Sequence, residues 1–167
     1  MTQPPEGSSA PQPAGEVPGP LAEWADRVVA TLIDFGIIAV GGFAVFVAAL
    51  VIGAISDILG GLIAGIGYFA LSAYGLYLGY LEGLRGQSPG KAIRGLKVVR
   101  ISDGEVLGGG MGIVRRIAHF VDGIICYLGF LLPLVDTRKQ TIADKMLETV
   151  VLRDQEKRPF SQEIFMP

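Results

Sequence analysis

The chain has 167 residues, half of them hydrophobic, with a mean hydropathy of +0.49 and only 18% charged, which is too apolar for an ordinary water-soluble domain of this size. Its 14 basic and 16 acidic residues leave a net charge of −2, which gives no support to nucleic-acid binding. One cysteine, Cys126, excludes an intrachain disulfide framework. A single integral membrane domain is the expectation.

Residues 1–20 carry six prolines among Gly, Ser and Glu, too little apolar surface to offset the entropy of ordering, so this segment reads as a disordered tail. It has no basic start and so is not a signal peptide. From Val28 to Ile55 only Thr31 and Asp34 interrupt apolar residues and glycines, a run longer than the roughly 20 residues that cross a bilayer core. Ser56 and Asp57 then form a tight turn, and Ile58 to Leu81 returns as a second, antiparallel membrane helix. Gly61 and Gly65, and Gly75, Gly79 and Gly83, recur every fourth residue, and such small faces let helices pack closely in lipid, within the chain or between copies.

Beyond Glu82 the chain turns polar and basic. Leu96 to Ile101 and Glu105 to Leu107 flank Ser102-Asp103-Gly104, and the Asp-Gly turn between β-branched runs predicts a small cytoplasmic β-hairpin, to which Leu147–Leu152 could add a strand. Gly108-Gly109-Gly110 leads into a third apolar segment, Ile117 to Val135. Arg27 stands alone at the first helix, whereas the other basic residues fall from Arg85 to Arg116 and from Arg138 to Arg158. Three full crossings would put those two blocks on opposite sides, against the positive-inside rule. The third segment also contains His119, Asp122 and Pro133, and a central Asp costs about 2.5–3.5 kcal/mol on insertion scales. A re-entrant path resolves both problems and lets Glu148–Leu152 pair with the strand near Leu96–Ile101, while a full crossing is the alternative. The expected architecture is therefore α-helical and membrane-embedded: residues 21–152 form the domain, with two transmembrane helices and a re-entrant or crossing third segment, and 153–167 form a flexible tail.

Ionisable residues at membrane depth are candidate functional groups. Arg27 and Asp34 are seven apart and share a helix face, with Asp34 about 10 Å deeper. Asp34 therefore needs a partner or a proton, and either a helix-pairing carboxyl or an ion site fits. Arg115, His119, Asp122 and Cys126 follow at steps of four, three and four, again on one face. They suit a proton relay, since a His beside an Asp exchanges protons near neutral pH, or a static ion-pair network. One histidine leaves no common metal site. Gly86-Gln-Ser-Pro-Gly-Lys91 is one residue short of a phosphate loop and continues with Ala92, so it is not one. No nucleophile elbow or catalytic triad is visible, and neither enzyme nor cofactor is expected. Thr141-Ile-Ala-Asp144 reads as a helix capping box with Asp in the Glu position.

Taken together, Ala25-Asp26-Arg27 through Asp34, the Gly86–Lys91 motif with Leu96-Lys-Val-Val99, and Arg138–Lys145 with Thr149-Val-Val151 resemble the RDD family of small membrane proteins. The resemblance covers about residues 22–152 and makes Arg27, Asp34 and Asp144 the signature residues. The proline-rich start and Val114–Cys126 resemble actinobacterial members of the proline-rich antigen type. The resemblance implies a bacterial plasma-membrane protein and transport of small ions, cation/proton exchange being the most concrete version, while the clustering of basic residues leads to the expectation of a cytoplasmic N-terminus. Three segments are few for a carrier, so a homo-oligomer is expected. The competing expectation is a non-transporting scaffold or accessory subunit that binds anionic lipid or a protein partner through the basic hairpin.

Overall fold

The computed structural model describes residues 17–125 and 128–167. The predicted disorder of the proline-rich start concerns residues outside that range up to position 16, and Cys126 lies outside it too. Two long helices, α1 (Trp24–Gly53) and α2 (Asp57–Arg85), are long and apolar enough to cross a membrane. They are about 45 Å long at the rise of an α-helix. Between them the chain reverses at Ser56, whose hydroxyl caps α2 by accepting from the Leu59 amide. Their outer surfaces are bare hydrocarbon, with Phe35, Val40, Phe43, Ile58 and Phe69 exposed, as lipid contact requires.

The α1–α2 seam runs through other glycines than expected. A Cβ on Gly60 would fall 2.6 Å from the Gly53 Cα, so the backbones touch there, and one on Gly67 would fall 2.9 Å from a Val45 methyl, which packs into the space the glycine leaves. Gly79 and Gly83 serve a different contact, with α4 (Gly109–Ile124): a Cβ on Gly79 would lie 2.8 Å from the Arg116 Cβ, and one on Gly83 2.8 Å from the Gly112 Cα. Cβ atoms on Gly61, Gly65 and Gly75 would meet nothing within 4 Å.

Everything else gathers where α1 begins and α2 ends. Gly86 closes α2 in the left-handed region (φ 76°), Ser88 caps the short α3 (Pro89–Arg94), and β1 (Lys97–Arg100) follows. The Ser102–Gly104 turn forms, with the Gly104 amide donating to the Arg100 carbonyl at 2.9 Å. Glu105–Leu107, however, forms no strand. The antiparallel partner of β1 is β2 (Thr149–Leu152), paired Lys97 to Leu152 and Arg100 to Thr149, so the two-stranded sheet joins distant segments. Leu21 bridges to Leu152, and Val98, Val151, Leu96, Ala22 and Ala30 make a small core against the foot of α1.

The third apolar segment is a bent pair. Helix α4 and the pieces α5 (Leu128–Leu131) and Leu132–Leu134 meet at 103°. Helix α4 is amphipathic in the inverse of the soluble sense. Met111, Val114, Ile117, Phe120 and Ile124 are exposed on one face, while Gly112, Arg115 and Asp122 are buried on the other. The segment starts beside α2, where the Gly108 amide donates to the Gly83 carbonyl at 2.8 Å, and by Lys139 the chain is back beside Arg27. Both its ends therefore lie at the same end of the helix pair. Residues 153–167, expected to be a flexible tail, pack onto α2 and α3 instead: Ile164 is fully buried, and Tyr77 and Arg85 bond the carbonyls of Phe165 and Glu163.

Candidate functional site

The site begins with a chain of charges that takes one residue from each of five elements. Arg27, in the first turn of α1, pairs with Asp144 in α6 (Ile142–Met146). Asp144 pairs also with Arg115 of α4, Arg115 with Glu82 of α2, and Glu82 with Lys91 of α3 at 2.7 Å. Arg115, Glu82 and Asp144 are at most 5% exposed. Charges that deep persist only when paired and hydrogen-bonded, and here each partner comes from a different part of the chain, so the network also fixes how the elements meet.

Asp144 is held on all sides. Its Oδ1 accepts from Arg115 and, at 3.2 Å, from the Thr149 hydroxyl, while its Oδ2 accepts from Arg27 and, at 3.1 Å, from the Thr141 amide. The Thr141 hydroxyl accepts from the Asp144 amide at 3.1 Å, which completes the capping box expected from the sequence. Burial opposes ionisation of Asp144, but the Arg115 and Arg27 guanidiniums overcome it and hold the carboxyl well below the usual carboxylate range. Lys145, its sequence neighbour, turns away to Asp136.

Asp34 is not part of this network. It accepts from the Ser88 hydroxyl at 2.6 Å and from the Gly90 amide at 2.7 Å, so it ties α1 to the start of α3. This explains the motif that resembles a phosphate loop. Gly86 ends α2, Ser88 both caps α3 and bonds Asp34, and Pro89 occupies the first helical turn, where its missing N–H costs nothing. Gly90 lets α3 sit directly on α1, where a Cβ would fall 2.9 Å from the Ala30 carbonyl carbon and closer still to its oxygen. Lys91 reaches Glu82, and Gln87 donates to the Leu96 carbonyl at 3.0 Å. The motif is a latch between helices.

His119 and Asp122 do meet, Nδ1 to Oδ2 at 2.8 Å, and the other Asp122 oxygen accepts from the Ile142 amide at 2.9 Å. The His119 ring stacks on Phe130, with centroids 5.7 Å apart and planes 18° apart. The Phe130 carbonyl accepts from the Trp24 indole at 2.8 Å, which joins the bent segment to the foot of α1.

These groups surround a cavity of about 220 Å³ between α1, α2, α4 and the bent segment. Asp34, Glu82 and His119 line it together with the cations Arg27, Lys91, Arg115 and Arg116, and Trp24, Phe130 and Pro133 supply apolar wall. Among the described residues no group of three His, Cys, Asp or Glu side chains is placed to hold a metal ion. The arrangement can hold a small charged or polar solute at the end of the membrane helices. Of the residues singled out in the sequence, Arg27, Asp144 and Arg115 form one network, His119 with Asp122 a second, and Asp34 the latch. Glu82, Lys91, Ser88 and Arg116 were missed. Glu82 carried a signal all the same: it is a carboxylate between Gly79 and Gly83, on a helix face already marked for close packing.

The model of the RDD family matches residues 21–148. The "Proline-rich antigen" of Mycobacterium leprae (strain TN) is 49% identical over 74 residues, 44% of this chain and 30% of that protein. A "Proline-rich antigen homolog" of Mycobacterium tuberculosis (strain ATCC 25618 / H37Rv) is 50% identical over 72 residues, 43% of this chain and again 30% of the relative. The matched stretch thus spans under a third of the curated relatives. No solved structure matches the chain.

Proposed function

The chain belongs to the RDD family, and from that premise we propose that it is a transport-related protein of the bacterial plasma membrane whose cavity receives a small ion. The observation that carries this reading is the cavity itself, which brings Arg27, Asp34, Glu82 and His119 to one space at the end of two membrane helices. Cation/proton exchange is its most concrete form, with His119 and Asp122 as the group that exchanges protons. Beyond Asp34, α1 offers no charged side chain up to its end at Gly53, so a single copy supplies no polar route through the far half of the bilayer. Passage therefore requires a homo-oligomer, for which the open faces at Gly61, Gly65 and Gly75 are suited. The basic blocks share one end of the helix pair with the start of α1, which by the positive-inside rule supports a cytoplasmic N-terminus.

Reconstituted vesicles test this. Purified protein should support a cation-driven change of internal pH that empty vesicles lack, and Asp34→Asn and His119→Gln should each reduce it at least severalfold. No flux above empty vesicles would reject transport, and full flux in Asp34→Asn would remove Asp34 from the route. A second reading, a scaffold that binds lipid or a protein partner through its basic end, is favoured by one observation: Asp34 and Asp144 are already fully engaged in holding the fold. It expects wild-type vesicles to behave as empty ones.

A further inference from the structure

The chain beyond β2 changes character at Pro159. Residues 153–158 include Arg153, Asp154, Glu156, Lys157 and Arg158, whereas from Pro159 onward Glu163 is the one charged side chain, among Phe160, Ile164, Phe165 and Met166. The charged stretch is fastened along α3 and its flanks. The Gln155 amide donates to the Gly95 carbonyl and the Arg158 amide to the Ala92 carbonyl, both at 3.0 Å, and the Gln87 side chain donates to the Glu156 carbonyl at 3.3 Å. The apolar stretch, with a short 3-10 turn at Gln162–Phe165, then lies along α2 and runs toward the bilayer. Arg85, the last residue of α2, donates to the carbonyls of Glu163, Ile164 and Met166, and the Tyr77 hydroxyl donates to that of Phe165 at 2.8 Å. Tyr77 precedes Arg85 by eight residues, about 12 Å along the helix. The 29 residues of α2 span about 43 Å against roughly 30 Å of hydrocarbon core, so a centred helix leaves about 6–7 Å beyond the core at each end, and Tyr77 stands inside that boundary.

We propose that residues 160–167 are an interfacial membrane anchor: Phe160 and Met166 enter the lipid at the boundary between headgroups and acyl chains, and Arg85 with Tyr77 hold the segment there. Three observations carry this. Backbone that enters an apolar zone must bring its hydrogen bonds with it, and all four carbonyls from Glu163 to Met166 accept from an α2 side chain. Backbone facing water needs no such provision. Phe160 and Met166 are exposed although Ile164 beside them is fully buried, so the segment shows one apolar side to the protein and another outward. That outward side continues a surface of α2 already in lipid. The Phe160 and Phe165 rings meet edge-on with centroids 5.7 Å apart, the Tyr77 and Tyr80 rings stack at 6.3 Å, and Tyr80 and Leu84, on the same helix face as Tyr77, are exposed. Aromatic side chains favour this depth of the bilayer, and the charged residues 153–158 stay on its watery side. The inference rests on the membrane placement of α2 and not on whether the protein moves ions.

Spin labels on the full chain in phosphatidylcholine nanodiscs test it. In a Cys126→Ser background, single cysteines are placed by Phe160→Cys and Met166→Cys, with Lys157→Cys as the aqueous reference and Leu62→Cys, exposed on α2, as the lipid reference. The ratio of collisions with oxygen to collisions with a water-soluble nickel chelate should be severalfold higher at 160 and 166 than at 157 and should approach that at 62. Arg85→Gln should lower the ratio at 166 toward that at 157 while position 62 is unchanged, and Tyr77→Phe should lower it less. The unmutated chain guards against a misfolded variant: a phosphatidylcholine with a diazirine near the top of its acyl chain should label the peptide of residues 158–167 and spare that of 154–157. The proposal is overturned if the labels at 160 and 166 meet nickel as freely as the one at 157, or if both reagents are excluded there, as a second copy or a protein partner covering the segment would cause. It is overturned equally if photolabelling spares residues 158–167, or if Arg85→Gln leaves the ratio at 166 unchanged in a protein whose position 62 reads as in the wild type.

Discussion

Replacing Asp144 with asparagine tests the charge network at its centre. The substitution keeps the size and one acceptor oxygen, so the capping contact with Thr141 can survive, while the negative charge between Arg27 and Arg115 is lost. The two arginines then differ in what they suffer. The Arg27 side chain is 12% exposed and keeps the Lys139 carbonyl, so water relieves part of its loss, whereas the Arg115 side chain is 4% exposed and is left with Glu82 alone. Removing one partner of a buried pair costs about 3–5 kcal/mol, and Arg115 places this case inside that range despite the relief at Arg27. The cost must also depend on pH. Because the folded protein holds the Asp144 carboxyl below the ordinary value of 3.8, its charge stabilises the fold above that value and the contribution fades as pH falls through the lower, folded-state value. Unfolding in nanodiscs, followed by tryptophan fluorescence at pH 7 and at steps below pH 4, should show a large gap between wild type and Asp144→Asn that narrows with acid. Arg27→Gln should then cost less in the Asp144→Asn background than in the wild type. Equal stability at pH 7, or a gap that widens toward acid, would refute the network as a source of stability.

Gly90→Ala should destabilise the domain by about 1–3 kcal/mol or more from overpacking, because its Cβ would fall 2.9 Å from the Ala30 carbonyl carbon, while Gly75→Ala, which meets nothing within 4 Å, should be neutral or stabilising in the monomer; equal effects in denaturation curves would undo the latch. Ile164→Ala removes a fully buried side chain and should cost about 2–5 kcal/mol locally, seen as protease cleavage in residues 153–160 that the wild type resists. In a Cys126→Ser background, cysteines at Ser102 and Thr137 should both be labelled by an impermeant reagent from one side of oriented vesicles, and a cysteine at Asp57 from the other. Labelling of positions 102 and 137 from opposite sides would mean that the third segment crosses.

What the sequence made legible was what local pattern decides. The two long helices follow from unbroken apolar runs, their reversal from Ser56-Asp57, and the capping box from a four-residue motif whose partners lie within one turn. Where an outcome depends on distant residues, local signals named the feature but, for the buried charges, not the partner. Asp103-Gly104 does make a turn, but Glu105–Leu107 adds no strand; β1 pairs with β2 some fifty residues on, the pairing expected from a re-entrant third segment, and Thr149-Val-Val-Leu152 offers it four buried side chains. Arg27 and Asp34 share a helix face and yet serve different partners, one bound to Asp144 and the other to Ser88 and Gly90. Their seven-residue spacing says only that both look toward the same side, and what waits there is set by how α3 and α6 fold back. Asp34 needs a partner at depth, and it pairs helices as one of its two expected roles, but its partners are a hydroxyl and a backbone amide, groups that no charge count reveals. In the same way the glycine periodicity marked α2 as a packing surface without saying against what. Gly79 and Gly83 are spent on α4, and that contact brings Arg115 to Glu82 and carries Arg116 across Gly79 into the cavity wall. The small residues of α2 thus shape the cavity through packing: without the close approach at Gly83 and Gly112, the cations of α4 would stand away from the carboxylates of α2 and α6, and the charged cavity would not close.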